Sequence, residues 1–129
     1  MDNFSSRNRV LVASTIAAFS GAIGFSGYLA LTPFCALFAV AISMAKSYPQ
    51  SILIAFIYFL SASHGLMSGA YVFTNGDLLV SFGYPFLANL ILALPFVLVT
   101  RFRSVGLIAA LMIITIPPFG HIGWANPIR

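Results

Sequence analysis

Long uncharged runs constrain the fold of this chain more than any other feature of its sequence. Only 6% of its 129 residues are charged, and 60% are hydrophobic. Soluble domains carry about 25% charged residues, and a small protein has too much surface for its volume to hide such an apolar excess. The bilayer is therefore the expected solvent. One cysteine excludes a disulfide scaffold, and basic residues that cluster no further than arginine pairs predict no direct nucleic acid binding.

The charged residues divide the sequence into four uncharged runs: residues 10–45, 47–76, 78–100 and 104–128. As one helix the first run would be about 54 Å long, whereas the hydrocarbon core is about 30 Å thick. We expect it to break before Thr32 and Pro33, which suit the N-cap and first position of a new helix. Glycines from Gly65 onward and the turn-like residues 74–77 predict a loop over residues 66–77.

The resulting prediction is an all-α, polytopic membrane helix bundle that forms a single domain, residues 1–129. Its five transmembrane helices are expected at about 9–27, 32–46, 49–65, 78–100 and 103–118. Cytoplasmic loops collect Lys and Arg, so we compared the topologies by charge. With a cytoplasmic N-terminus and an exported C-terminus, only Arg129 lies outside and five basic residues lie inside: Arg7, Arg9, Lys46, Arg101 and Arg103. If residues 10–45 crossed once, the split would be three against three.

The start of the chain has a second interpretation, a cleaved signal peptide, because Arg7 and Arg9 precede an apolar stretch. No polar mature segment follows that stretch, which favours a retained helix. Its small residues, including Gly21 and Gly24, predict that two helix backbones approach closely, and packing within the chain is favoured over the alternative, a dimer contact.

Residues that could carry chemistry are few. The two carboxylates, Asp2 and Asp77, are predicted on opposite sides of the membrane, so they cannot act as a pair. Cys35 lies in an apolar helix without a neighbouring base, which favours a structural role. His64 and His121 have no Cys, Asp or Glu at metal-ligand spacing. The sequence therefore predicts no catalytic residue, no metal site and no cofactor. Two internal prolines, at 85 and 95, are expected to kink the fourth helix.

Three stretches carry a family resemblance: residues 21–27 (GAIGFSG), residues 58–65 (YFLSASHG) and the tail PPFGxxGWAxP at residues 117–127. Together they resemble the N-terminal membrane region of TraB proteins of conjugative plasmids, which are inner-membrane relatives of apolipoprotein N-acyltransferase. The candidate motif or outer-rim residues are His64, Gly65, Tyr71, Pro117, Pro118, Gly120, His121, Gly123, Trp124 and Pro127.

This resemblance implies a multi-pass protein of the bacterial inner membrane, with the lipid bilayer as a partner. It also implies an exported nitrilase-like domain, or conjugation machinery, as a further partner. The catalytic Glu, Lys and Cys of that domain have no counterpart in these 129 residues, so Cys35 is not assigned as the nucleophile and the isolated chain is not expected to be an enzyme. A fragment and a complete protein both stay open. The alternatives are a stand-alone membrane scaffold or assembly protein, and a small oligomeric transporter, against which the lack of membrane-embedded charge weighs.

Overall fold

The structure, a computed structural model, describes residues 2–116, with side chains from Ser5 onward. All regular elements in this range are helical, which confirms the predicted all-α class. They are α1 (Asp2–Gly24), α2 (Leu29–Ser43), α3 (Tyr48–Ala62), α4 (His64–Phe73) and a helix Leu79–Thr115 that breaks at Arg103 into α5 (79–102) and α6 (104–115).

Helix α3 lies at the centre, and α1 packs along it through small residues. Ala13 and Ala17 are fully buried, as is the backbone around Gly21. A Cβ atom added at Gly21 would overlap the carbonyl oxygen of Tyr58 and lie 3.0 Å from the backbone nitrogen of Ala62. The two backbones therefore meet without a side chain between them, a contact that small residues allow. The small-residue stripe is thus used within the chain.

Helix α2 begins three residues earlier than predicted, at Leu29, and Pro33 lies inside it. Its first part is a 3-10 helix, Leu29–Ala36, which becomes α-helical over Leu37–Ser43. The Ser20 hydroxyl of α1 donates to the carbonyl oxygens of Phe34 and Cys35, at 2.9 and 3.2 Å. Proline offers no N–H to the preceding turn, and the Ser20 hydroxyl is a donor from outside the helix to two carbonyl oxygens that also accept backbone N–H groups where the 3-10 segment ends.

The predicted loop over residues 66–77 is wrong for most of its length, because α4 occupies His64–Phe73. The axes of α3 and α4 meet at 55° beside Ser63. The buried Ser63 hydroxyl donates to the Phe59 carbonyl oxygen at 2.8 Å and accepts from the Asn89 Nδ2 atom at 2.7 Å, so α5 holds the bend. The turn itself comes later, where Asn75 and Gly76 have left-handed φ angles of 52° and 84°.

The long helix departs from α-geometry next to both internal prolines, in a π-helical turn Leu79–Gly83 and a 3-10 turn Leu94–Phe96. Its sharpest break is at Arg103, with φ 50° and ψ −122°. A Cβ atom at Gly106 would overlap the Leu98 carbonyl oxygen and lie 2.9 Å from the Val99 nitrogen. Leu98 and Gly106 are eight residues apart, and in a straight helix that separation is about 12 Å along the axis, too far for contact. The chain therefore folds back after Arg103.

Within residues 2–116, one helix, Leu79–Thr115, is long and apolar enough to span a membrane, and a second qualifies if the bent pair α3–α4 is one span. Helix α2, with 15 residues, is a shorter apolar helix. The outer surface is apolar along its length, with exposed large hydrophobic side chains from Leu11 in α1 to Ile108 in α6. Such extensive apolar surface is typical of proteins that contact lipid or a partner.

Candidate functional site

An apolar groove lies between α2 and α6, and we call it the lateral groove. It is a partly open cavity of about 550 Å³. Helix α2 and α6 form its two walls, and apolar side chains dominate both. The residues that line it are Leu29, Thr32, Pro33, Cys35, Ala36, Phe38, Ala39, Leu107 and Leu111.

The groove owes its width to small residues on α2 and to the fold-back of α6. Ala36 and Ala39 leave space opposite Leu107 and Leu111. Gly106 lets α6 begin against the end of α5, because any larger residue would meet the Leu98 backbone. Without that close approach, α6 would not run beside α2.

Aromatic packing supports the groove from the core side. The buried Phe38 ring stacks on Tyr58 with ring centroids 4.2 Å apart, and it meets Phe96 edge-on at 5.1 Å. Both geometries are favourable for aromatic pairs. Because Phe38 also lines the groove, this wall is fixed by residues from α3 and α5.

One end of the lateral groove is polar and cationic. A second cavity of about 290 Å³ shares Ala39 and Leu107 with the first, and it continues to Ser43, Arg103 and Ser104. The groove thus has an apolar length and a basic end. Arg103 also has a backbone conformation that residues other than glycine rarely adopt, and such strain occurs preferentially at functional sites.

The apolar lining of this groove suits an aliphatic chain. The Cys35 thiol is buried beside Gly24 and donates to the Thr32 carbonyl oxygen, so it is engaged in packing, as the sequence predicts. Across the residues that the structure describes, no group of three His, Cys, Asp or Glu side chains could hold a metal ion.

The predicted rim residues of α4 lie away from this groove. His64 is exposed at the α3–α4 bend, with its Nδ1 atom 2.7 Å from the Ser61 carbonyl oxygen. Gly65 faces open space, and Tyr71 packs its hydroxyl end close to Gly76. The other predicted motif residues lie outside the described residues: Pro117, Pro118, Gly120, His121, Gly123, Trp124 and Pro127.

Sequence reasoning missed the residues that line the groove. It assigned Arg103 to membrane orientation alone, and Leu107 and Leu111 to an ordinary apolar helix. The sequence feature that could have indicated the groove is Gly106, which follows Arg101 and Arg103. A glycine just after a polar break in a helix allows the two helix segments to touch. Which helix α6 would then face could not be read from this pattern.

Comparison with known proteins bears on the family resemblance. Over 93% of its length the chain is 31% identical to a protein of Sinorhizobium fredii (strain NBRC 101917 / NGR234) described as a probable conjugal transfer protein TraB. The chain spans 32% of that relative's length. No protein-family profile matches the chain, and no solved structure matches it. The resemblance to TraB-type proteins is thus confirmed for this segment.

Proposed function

We propose that this chain, which is similar to a TraB-type conjugal transfer protein, is a noncatalytic membrane module of such a protein. The observation that carries the proposal is the similarity over 93% of the chain. In this role the helices anchor the protein in the bacterial inner membrane. They hold an exported nitrilase-like domain, or a component of the conjugation machinery, at the bilayer surface.

The proposal includes five crossings, with the N-terminus in the cytoplasm. Helix α1, of 23 residues, is about 35 Å long, and α2 is about 26 Å long when its 3-10 and α-helical parts are added. These lengths are close to the roughly 30 Å of hydrocarbon. We assign the other three crossings to α3, α5 and α6. The break at Arg103 divides a helix of 37 residues that would be too long for one crossing, and the described part of α6, residues 104–115, is about 18 Å long.

The positions of the charges support the same topology. Lys46 follows α2, and Arg101 and Arg103 lie at the α5–α6 turn, whereas Asp77 lies in the turn before α5. Five crossings put all three basic residues on the cytoplasmic side and the carboxylate on the other, as the preference of Lys and Arg for cytoplasmic loops requires.

The lateral groove gives the module a lipid-facing role. Its cavity of about 550 Å³ falls within the size range of ligand sites, roughly 300–1,000 Å³. Its lining suits an acyl chain that enters sideways from the bilayer between α2 and α6. We therefore propose that the groove accommodates lipid and that catalysis belongs to a separate domain.

Two measurements test the proposed function. The chain, expressed with a C-terminal tag, should stay in the membrane pellet after alkaline carbonate washing and dissolve only with detergent.

In donor cells whose conjugative element carries the gene, deletion of the codons for residues 2–116 should reduce plasmid transfer, and the intact gene should restore it. Recovery of the chain from the aqueous fraction, or unchanged transfer, would contradict the proposal. Reading the DNA beyond codon 129 for a nitrilase-like domain separates this module from a stand-alone scaffold.

A further inference from the structure

We infer that the Arg103 end of the lateral groove binds the phosphate of a resident acidic phospholipid, one of whose acyl chains lies between α2 and α6. The inference rests on the proposed function for placing the chain in a bilayer and the α5–α6 turn on its cytoplasmic side. It adds the headgroup class, the leaflet and the residue that recognises the lipid.

Charge complementarity at this end of the groove supports an anionic ligand. Arg103 lines the second cavity together with the hydroxyl-bearing Ser43 and Ser104. Lys46 follows Ser43 by three residues and Arg101 precedes Arg103 by two, so neighbouring charges have the same sign. A guanidinium group binds phosphate oxygens through paired hydrogen bonds.

No carboxylate competes for Arg103 among the side chains that the structure describes. Asp77 is engaged at the start of α5, where its Oδ1 atom accepts from the Leu79 and Val80 nitrogens at 2.9 and 3.2 Å. The other carboxylate side chain in the sequence, Asp2, belongs to the start of the chain. Among the described side chains, the basic end of the groove thus has no carboxylate partner.

The direction of the groove fixes the orientation of the lipid. From Ala39 and Leu107, which both cavities share, the apolar lining continues along α2 to Leu29 and along α6 to Leu111. Among the described side chains, none that is charged lines that far part. A phosphate at Arg103 therefore places the acyl chain along the apolar length, with the headgroup in the leaflet that contains the α5–α6 turn, which is the cytoplasmic one.

Lipid retention by the purified full chain tests this inference. The protein is reconstituted in nanodiscs with equal amounts of phosphatidylglycerol and phosphatidylcholine that carry the same acyl chains, and is then released for native mass spectrometry. A basic residue near an anionic headgroup gives about a fivefold preference. We expect the wild-type chain to retain phosphatidylglycerol about fivefold over phosphatidylcholine. Arg103→Gln should abolish this preference, and Arg103→Lys, which keeps the charge but loses the paired hydrogen bonds, should keep part of it.

Two further variants separate the groove from general surface charge. Arg101→Gln removes the same charge two residues away, at a position that lines neither cavity, and should keep the preference. Leu107→Trp fills the groove and should reduce retention of both lipids. Excess glycerol phosphate should not displace the bound phospholipid, because it lacks the acyl chain. Far-ultraviolet circular dichroism checks that each variant is folded.

Three results would overturn the inference: equal loss in Arg101→Gln and Arg103→Gln, equal retention of both lipids by the wild type, and full displacement by glycerol phosphate. If a folded chain that resists carbonate extraction retains neither lipid, the lipid site is refuted while the membrane module stands. If the chain is recovered from the aqueous fraction, the proposed function itself fails.

Discussion

Replacing Gly21 by alanine tests the backbone contact between α1 and α3. The new Cβ atom would overlap the Tyr58 carbonyl oxygen and lie 3.0 Å from the Ala62 nitrogen. Both are main-chain atoms that cannot rotate away, so the helices must move apart and loosen the packing around Ala17. Overpacking of this kind destabilises by about 1–3 kcal/mol. Helix propensity favours alanine over glycine by about 1 kcal/mol, so the net loss is about 0–2 kcal/mol.

A second glycine in the same chain serves as a control for the difference in helix propensity between glycine and alanine. Gly69 lies in α4, and a Cβ atom added there would meet no atom of the described residues within 4 Å. Subtracting the effect of Gly69→Ala from that of Gly21→Ala leaves the cost of the overlap, about 1–3 kcal/mol. The free energy of unfolding is measured by titrating the detergent-solubilised protein with sodium dodecyl sulfate and following helix content. If Gly21→Ala is as stable as Gly69→Ala, α1 and α3 do not meet backbone to backbone.

Two other predictions concern topology and the α3–α4 bend. Reporter fusions after Lys46 and Arg103 should be located in the cytoplasm, and a fusion after Gly76 should be located on the exported side. If the fusion after Lys46 is found on the exported side, α2 does not cross the membrane. In a double-mutant cycle, Ser63→Ala and Asn89→Leu should show a coupling energy of about 0.6 kcal/mol in unfolding, up to about 1.7, which is typical of a hydrogen bond between membrane helices. Strictly additive effects would show that the 2.7 Å contact does not stabilise the fold.

Local signals predicted much of the secondary structure. A described helix overlaps each of the five predicted ranges, because charge and hydropathy act along the chain and need no knowledge of neighbours. The prediction of a loop over residues 66–77 was wrong because the backbone there depends on a contact with a residue distant in sequence. Gly65 was interpreted as the start of a turn, yet its backbone continues into α4 after a bend held by the Ser63–Asn89 hydrogen bond. That partner lies 26 residues away, so no local pattern could reveal it.

The candidate site was less accessible to sequence analysis than the helices. His64 and Tyr71 were chosen for their motif and interfacial character, and the structure leaves both exposed on α4, apart from the lateral groove. The groove combines residues from the first third and the last quarter of the chain. Its polar end depends on Arg103, which the sequence identified only as a cytoplasmic charge.

What the sequence determined by itself was the apolar composition, the helical class and the family resemblance, since an excess of apolar residues and short motifs are properties of the chain as written. The tertiary structure alone decided which helices touch. The approach of α1 to α3 at Gly21, and the fold-back that brings Leu107 opposite Ala39, depend on backbone atoms from distant segments meeting in space. Hydropathy indicates that a helix is stable in an apolar environment, but lipid and another helix are almost equally apolar. Which of the two a given helix face contacts is therefore determined by side-chain packing.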